Sequence, residues 1–199
     1  MTAPTRRESA DVSKLLGLTG PGAWALVVVY TVTHGVIVGI SGGAPMSTAF
    51  GWIAFALVLA AAVVLVLPWP HPLPMPVVVW LLAVDVVVTA TICWQLSPVG
   101  WPGWASWNFG AVTFLLFLLA LRGRVVAGAV GIALMIAVAV HWTWATTGDV
   151  LHGVDLTARH LATYLAGALA AVWLGRAATR TAQLHERERA RARAEHGRR

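Results

Sequence analysis

Six stretches of mostly apolar residues, each close to the length of a membrane-spanning helix, constrain this chain more than any other feature. They run from about Ala23 to Ile40, Ala49 to Leu67, Val77 to Leu96, Asn108 to Leu121, Val125 to Trp144 and Leu156 to Leu174. A helix that crosses the hydrocarbon core of a bilayer needs about 20 such residues. Six of them take up about 120 of the 199 positions. The remainder is divided between two tails and five loops, which leaves no room for a soluble domain of ordinary size. Charged residues make up only 11% of the chain, against about 25% in a typical soluble domain. The expected fold is all-α: a polytopic membrane bundle of six transmembrane helices with a C-terminal helical extension.

The segments between the stretches set the expected topology. Residues 1–22 form a basic tail ending in Gly20-Pro21-Gly22, a helix breaker. The first apolar stretch exceeds the usual h-region of a signal peptide, so an uncleaved span is expected. Between the second and third stretches, proline recurs at every second position from Pro68 to Pro76, which blocks both helix and ladder hydrogen bonding. The loop after the third stretch carries Trp101, Trp104 and Trp107, and indole rings favour the headgroup level, so these three are expected in an interface belt. Asp155 is the expected N-cap of the sixth helix. If the N-terminus is cytoplasmic, thirteen of the fourteen Lys and Arg lie inside: three in the tail, Arg122 and Arg124, and eight from Arg176 onward. Only Arg159 falls outside. The positive-inside rule therefore predicts a multi-pass plasma-membrane protein with both termini in the cytoplasm. The net charge of +6 is accounted for by topology and contact with anionic lipid, not by nucleic acid.

Two ionisable residues lie deep in the predicted spans, His34 in the first and Asp85 in the third. Both sit roughly 12–17 Å from the cytoplasmic boundary at about 1.5 Å per residue. Tyr30 shares a helix face with His34, and Thr89 shares one with Asp85. A carboxylate in hydrocarbon costs several kcal/mol unless it faces the bundle and finds a partner. The expectation is that His34 and Asp85 pair, with Tyr30 nearby, as a polar or proton-responsive site; a purely structural hydrogen bond is the alternative. A second polar cluster, His141, Asp149, His152, Asp155, Arg159 and His160, is expected on the outer face. Its spacing matches no metal motif, so no metal or cofactor is expected. Small residues recur at helical spacing in Gly35-xxx-Gly39, in Ala162, Ala166 and Ala170, and in Gly167, Ala171 and Gly175, a pattern that permits close helix contact.

Beyond Leu174 the helical pattern continues. Residues 177 to 194 contain no Gly or Pro and are rich in Ala, Arg and Glu, all strong helix formers. Glu188, Arg191, Glu195 and Arg199 fall at i,i+3 or i,i+4 spacing. Leu174, Ala177, Thr181, Leu184 and Glu188 trace the start of a heptad seam. A helix is therefore expected over 175–199, leaving the membrane and either pairing weakly with a second copy or lying alone as a basic helix in solvent or on lipid. Signatures of soluble enzymes are missing: no Walker loop, GxSxG, HExxH or GxGxxG occurs. His185 is followed by Arg-Glu-Arg and reads as an exposed linker residue, and no enzymatic activity is expected.

The six Ala/Val/Leu/Trp-rich spans and the exit helix from Arg180 to Glu195 resemble the N-terminal membrane region of actinobacterial-type sensor histidine kinases. In that family such a helix leads from the last span into the dimerisation and phospho-acceptor domain. This chain has no ATP-binding boxes, so no kinase residue is carried over. The resemblance implies a sensory signal-input module in a two-component system, with the lipid bilayer, a second copy, and a separate kinase or response regulator as partners. The alternative is a small transporter or an accessory membrane subunit.

Overall fold

A computed structural model describes residues 21–41, 44–70, 72–97 and 102–196. Among them the chain is helical throughout, with no strand. The α-helices are α1 (Pro21–Ser41), α2 (Ala49–Val66), α3 (Met75–Cys93), α4 (Trp107–Leu121), α5 (Val125–Thr147) and α6 (Val150–His196). Short 3-10 turns at Ala44–Ser47 and Gly103–Ser106 precede α2 and α4. The first three helices and α5 are each long and apolar enough to cross a membrane, which fits a membrane protein. The outward faces of the bundle are apolar too, for example Val28, Val32 and Val36 on α1, Phe50 and Ile53 on α2, and Leu169 and Trp173 on α6. So large an apolar exterior is unfavourable in water and is what lipid solvates.

The shortest helix occupies the centre. Twelve of the fifteen residues of α4 are buried, and α4 packs against all five other α-helices. At about 22 Å it is shorter than the roughly 30 Å hydrocarbon core. A helix ringed by protein need not match lipid thickness, because its neighbours and not the bilayer solvate its ends. Trp107, at its first turn, belongs to this core. It is 4% exposed and meets Phe55 of α2 edge-on at 5.6 Å. This corrects its assignment to an interface belt: being on the central helix, it is covered by protein. Trp101 and the side chain of Trp104 lie outside the described residues, as do the N-terminal tail through Gly20, the side chain of His185 and the charge pairs from Glu188 onward.

Sequence chemistry explains the helix ends. Thr48 caps α2, its hydroxyl accepting from Gly51 N at 3.2 Å and donating to Gln95 Oε1 after α3. Pro74 and Pro76 flank the start of α3, where a missing N–H costs nothing. The proline-rich connector leaves its carbonyls without helical partners, and arginines take them up. Arg122 donates from Nη2 to Leu67 O and Trp69 O, both at 3.2 Å. Arg124 Nε donates to Leu73 O at 2.7 Å, and Leu73 N donates to Arg122 O at 3.3 Å.

Between α5 and α6 the expected loop over 145–155 contracts to a tight turn. Gly148 adopts φ +74° and donates from its N–H to Trp144 O at 2.9 Å, the left-handed cap that glycine permits. Asp149 then caps α6, its Oδ1 accepting from His152 N at 3.1 Å. The predicted cap, Asp155, instead lies inside the helix, because the turn closes six residues earlier than the apolar pattern suggests. From there α5 and α6 pack closely. A Cβ at Gly153 would strike the Val140 backbone, and one at Gly128 would strike Tyr164 Oη, which donates to Val125 O at 2.6 Å. Of the small-residue stripes, Gly167 rests on Phe117 and Ala171 is buried. Gly35 and Gly39 have nothing within 4 Å of an added Cβ, and Ala162, Ala166 and Ala170 face outward. The single helix α6 continues through the Arg/Glu/Ala-rich segment to His196, about 70 Å in all.

Candidate functional site

The two deep ionisable residues do not meet. His34 Nδ1 donates to Tyr30 O, one turn back on its own helix, at 3.0 Å; because a carbonyl only accepts, Nδ1 carries the proton. Tyr30 lies 4.2 Å from the His34 ring between centroids and stacks on Phe114 of α4 at 5.2 Å. Its hydroxyl donates to Ala111 O at 3.0 Å, so it staples α1 to α4. Asp85 is 3% exposed. Its Oδ1 accepts from Thr89 Oγ1 at 3.3 Å, and its Oδ2 has no partner among the described residues. A void of about 10 Å³ beside it is lined by Leu81, Val84, Val112, Leu115, Leu116 and Leu119, room for about one water. The expected pair is thus replaced by two separate sites. Helices α1 and α3 each pack on α2 and α4, and equal depth along two helices does not make them neighbours.

His34 instead joins part of the predicted outer cluster. A cleft of about 390 Å³ opens at the end of the bundle where α4 begins. It is lined by His34 and Ile37 from α1, Gly103 and Ser106 from the 3-10 turn, Trp107 and Gly110 from α4, and Arg159 and His160 from α6. Arg159 Nε donates to His160 Nε2 at 3.2 Å, which leaves the His160 proton on Nδ1. The His160 ring leans on Phe109 at 5.7 Å. Ser106 Oγ donates to Gly103 O at 2.8 Å, and Gly103 holds φ +57°, so a side chain there would strain the turn. The size is within the usual range for small-molecule sites.

The rest of the outer cluster disperses. His141 sits against Trp94 at 6.5 Å and Trp144 at 6.1 Å, Asp149 caps α6, His152 Nε2 is buried without a partner among the described residues, and Asp155 is exposed. No group of three or more His, Cys, Asp or Glu among the described residues is placed to hold a metal ion. Beside Trp107 in the chain lies Asn108, a polar residue not singled out from the sequence. The indole Nε1 of Trp107 and both amide atoms of Asn108, which is 0% exposed, have no hydrogen-bond partner among the described residues. An asparagine in an otherwise apolar stretch is the signal that would have pointed to this place.

A family model described as a domain of unknown function (DUF8320) matches residues 20–174, which is the bundle up to Leu174. No curated protein and no solved structure matches the chain.

Proposed function

The chain belongs to the DUF8320 family, and we propose that this member is an integral membrane signal-input module, with its input cleft at one end of the bundle and α6 as its transmitting element. In this reading all six helices span or core the membrane domain. The termini and the arginines of α6 face the cytoplasm of a plasma-membrane protein, and the cleft faces outward. Support comes from the bias of Lys and Arg toward one side, the apolar exterior, and the four helices of spanning length. One observation carries the proposal. Arg159 and His160, which line the cleft, belong to the same uninterrupted helix that ends at His196. A ligand in the cleft touches the element whose far end lies about 55 Å away. A shift or rotation of that helix is a recognised way to pass a signal across a membrane domain. The receiving partner would be a second copy through the exit helix, and a separate kinase or response regulator.

Cysteine pairs placed along Arg180–Ala194 in native membranes, after replacement of Cys93, test this reading. Crosslinks should recur at 3-4 spacing, and Arg159→Gln should change their pattern. A rival reading, a small transporter, is favoured by the Asp85 oxygen that lacks a partner among the described residues, since intramembrane carboxylates commonly mark ion pathways. Absence of crosslinks at every position, together with Asp85-dependent flux in liposomes, would replace the signalling account with that one.

A further inference from the structure

The residues that converge on the cleft come from four elements, and none of them is acidic. Arg159 brings a guanidinium to the wall, its Nε on His160, and the planar group carries its charge and its Nη donors in a form suited to carboxylate or phosphate. His160, its Nε2 engaged by Arg159, has its remaining N–H as a further donor. Trp107 adds its indole to the lining, while its Nε1 is itself buried. Asp155, four residues before Arg159 on the same helix, does not line the cleft. Its other walls, Ile37, Gly110 and the Trp107 ring, are apolar. A volume of about 390 Å³ is more than an isolated phosphate or carboxylate fills.

From this convergence we infer that the cleft binds an amphipathic anion: a carboxylate or phosphate held by Arg159, with a short apolar body against Ile37 and Trp107. The same chemistry is offered by a free small organic acid and by the headgroup of an anionic lipid. The inference rests on the signal-input reading for its biological sense, but the binding itself does not depend on signalling.

The test uses the full chain in phosphatidylcholine nanodiscs, with hexanoate and inorganic phosphate as probes and hexanamide as the neutral counterpart of hexanoate. Binding is read by equilibrium dialysis and by the thermal midpoint. Hexanoate should saturate and raise the midpoint, and hexanamide should not. Arg159→Gln should weaken hexanoate by about tenfold or more, and Arg159→Lys should recover only part of the loss, because it keeps the charge and not the fork. Arg159 is exposed, so an unchanged midpoint of the ligand-free variants separates lost binding from lost folding. His160→Asn, which keeps an N–H donor, should bind more tightly than His160→Leu. Repeating the titration with one-fifth phosphatidylglycerol identifies the source: competition assigns the cleft to a lipid headgroup, and an unchanged affinity assigns it to a soluble acid. Failure of both hexanoate and phosphate to saturate, with no competition from phosphatidylglycerol, overturns the inference. So does equal binding of hexanamide, or full affinity in Arg159→Gln. Hexanoate binding with no change in the α6 crosslinks would sink the signalling account and leave the site standing. Intact, Arg159-sensitive crosslinks with no anion binding would do the reverse.

Discussion

The two ends of the bundle use arginine in opposite ways. At one end Arg122 is 2% exposed and donates to carbonyls of the proline-rich connector, with Arg124 beside it on Leu73 O. Here the chain supplies its own acceptors, since a run of alternating prolines leaves carbonyls that neither helix nor sheet can take up. At the other end Arg159 lies on the wall of an open cleft with two histidines and an indole, and no carboxylate among the described residues lines that cleft. The contrast shows that a membrane-flanking arginine is a structural clamp where unpaired backbone surrounds it. It becomes a candidate for recognition where the neighbouring groups are also donors.

This contrast is open to direct attack. The largest effect is expected at the clamped end. Arg122→Ala removes charge-assisted bonds to two part-buried carbonyls, so it should lower stability by about 3 kcal/mol, measured by unfolding in mixed detergent micelles. Arg122→Lys should recover only part of that, since an ammonium is a point charge and not a fork. A loss below about 0.5 kcal/mol for Arg122→Ala would mean that the clamp contributes nothing. Next comes Tyr30→Phe, which deletes the bond to Ala111 O and should cost about 1 kcal/mol. Hydrogen exchange should then rise in α1 more than in α5, because the bond ties α1 to the central helix. At the open end, Arg159→Gln should change stability by less than about 0.5 kcal/mol, as at an ordinary surface site; a larger loss would make Arg159 a second clamp and erase the comparison. The smallest quantity is the coupling between His34→Ala and Asp85→Asn. Residues without shared partners add to within about 0.5 kcal/mol, and a double-mutant cycle exceeding that would restore the direct pair.

Much of the local structure was legible in the sequence, and for local reasons. Apolar runs ending at glycine, proline or polar caps place the helices, so the expected stretches from Ala49, Asn108 and Val125 start within a residue of α2, α4 and α5. Where the prediction slipped, at the turn from α5 to α6, the polar residues between Ala145 and Asp155 were equally compatible with a loop. The deciding bond was made by Asp149, six residues before the expected cap. The site was less legible. His34, Arg159 and His160 were each visible as polar residues in or beside apolar stretches, but nothing in their spacing assigns the first to the other two.

The sequence by itself determined that the chain is helical and, apart from the start of α6, where the helices lie. Those properties depend on periodicity, capping and length, which act over a few turns. Only the tertiary structure decided that α4 is the central helix, that Trp107 is core, and that His34 faces Arg159 and His160 while Asp85 faces leucines of α4. A soluble amphipathic helix announces its inner face by its polar outer one. A helix apolar on every side carries no such stripe, so its neighbours are chosen by the fit of small residues and the few hydrogen bonds between helices, such as Gly128 against Tyr164 and Tyr30 against Ala111.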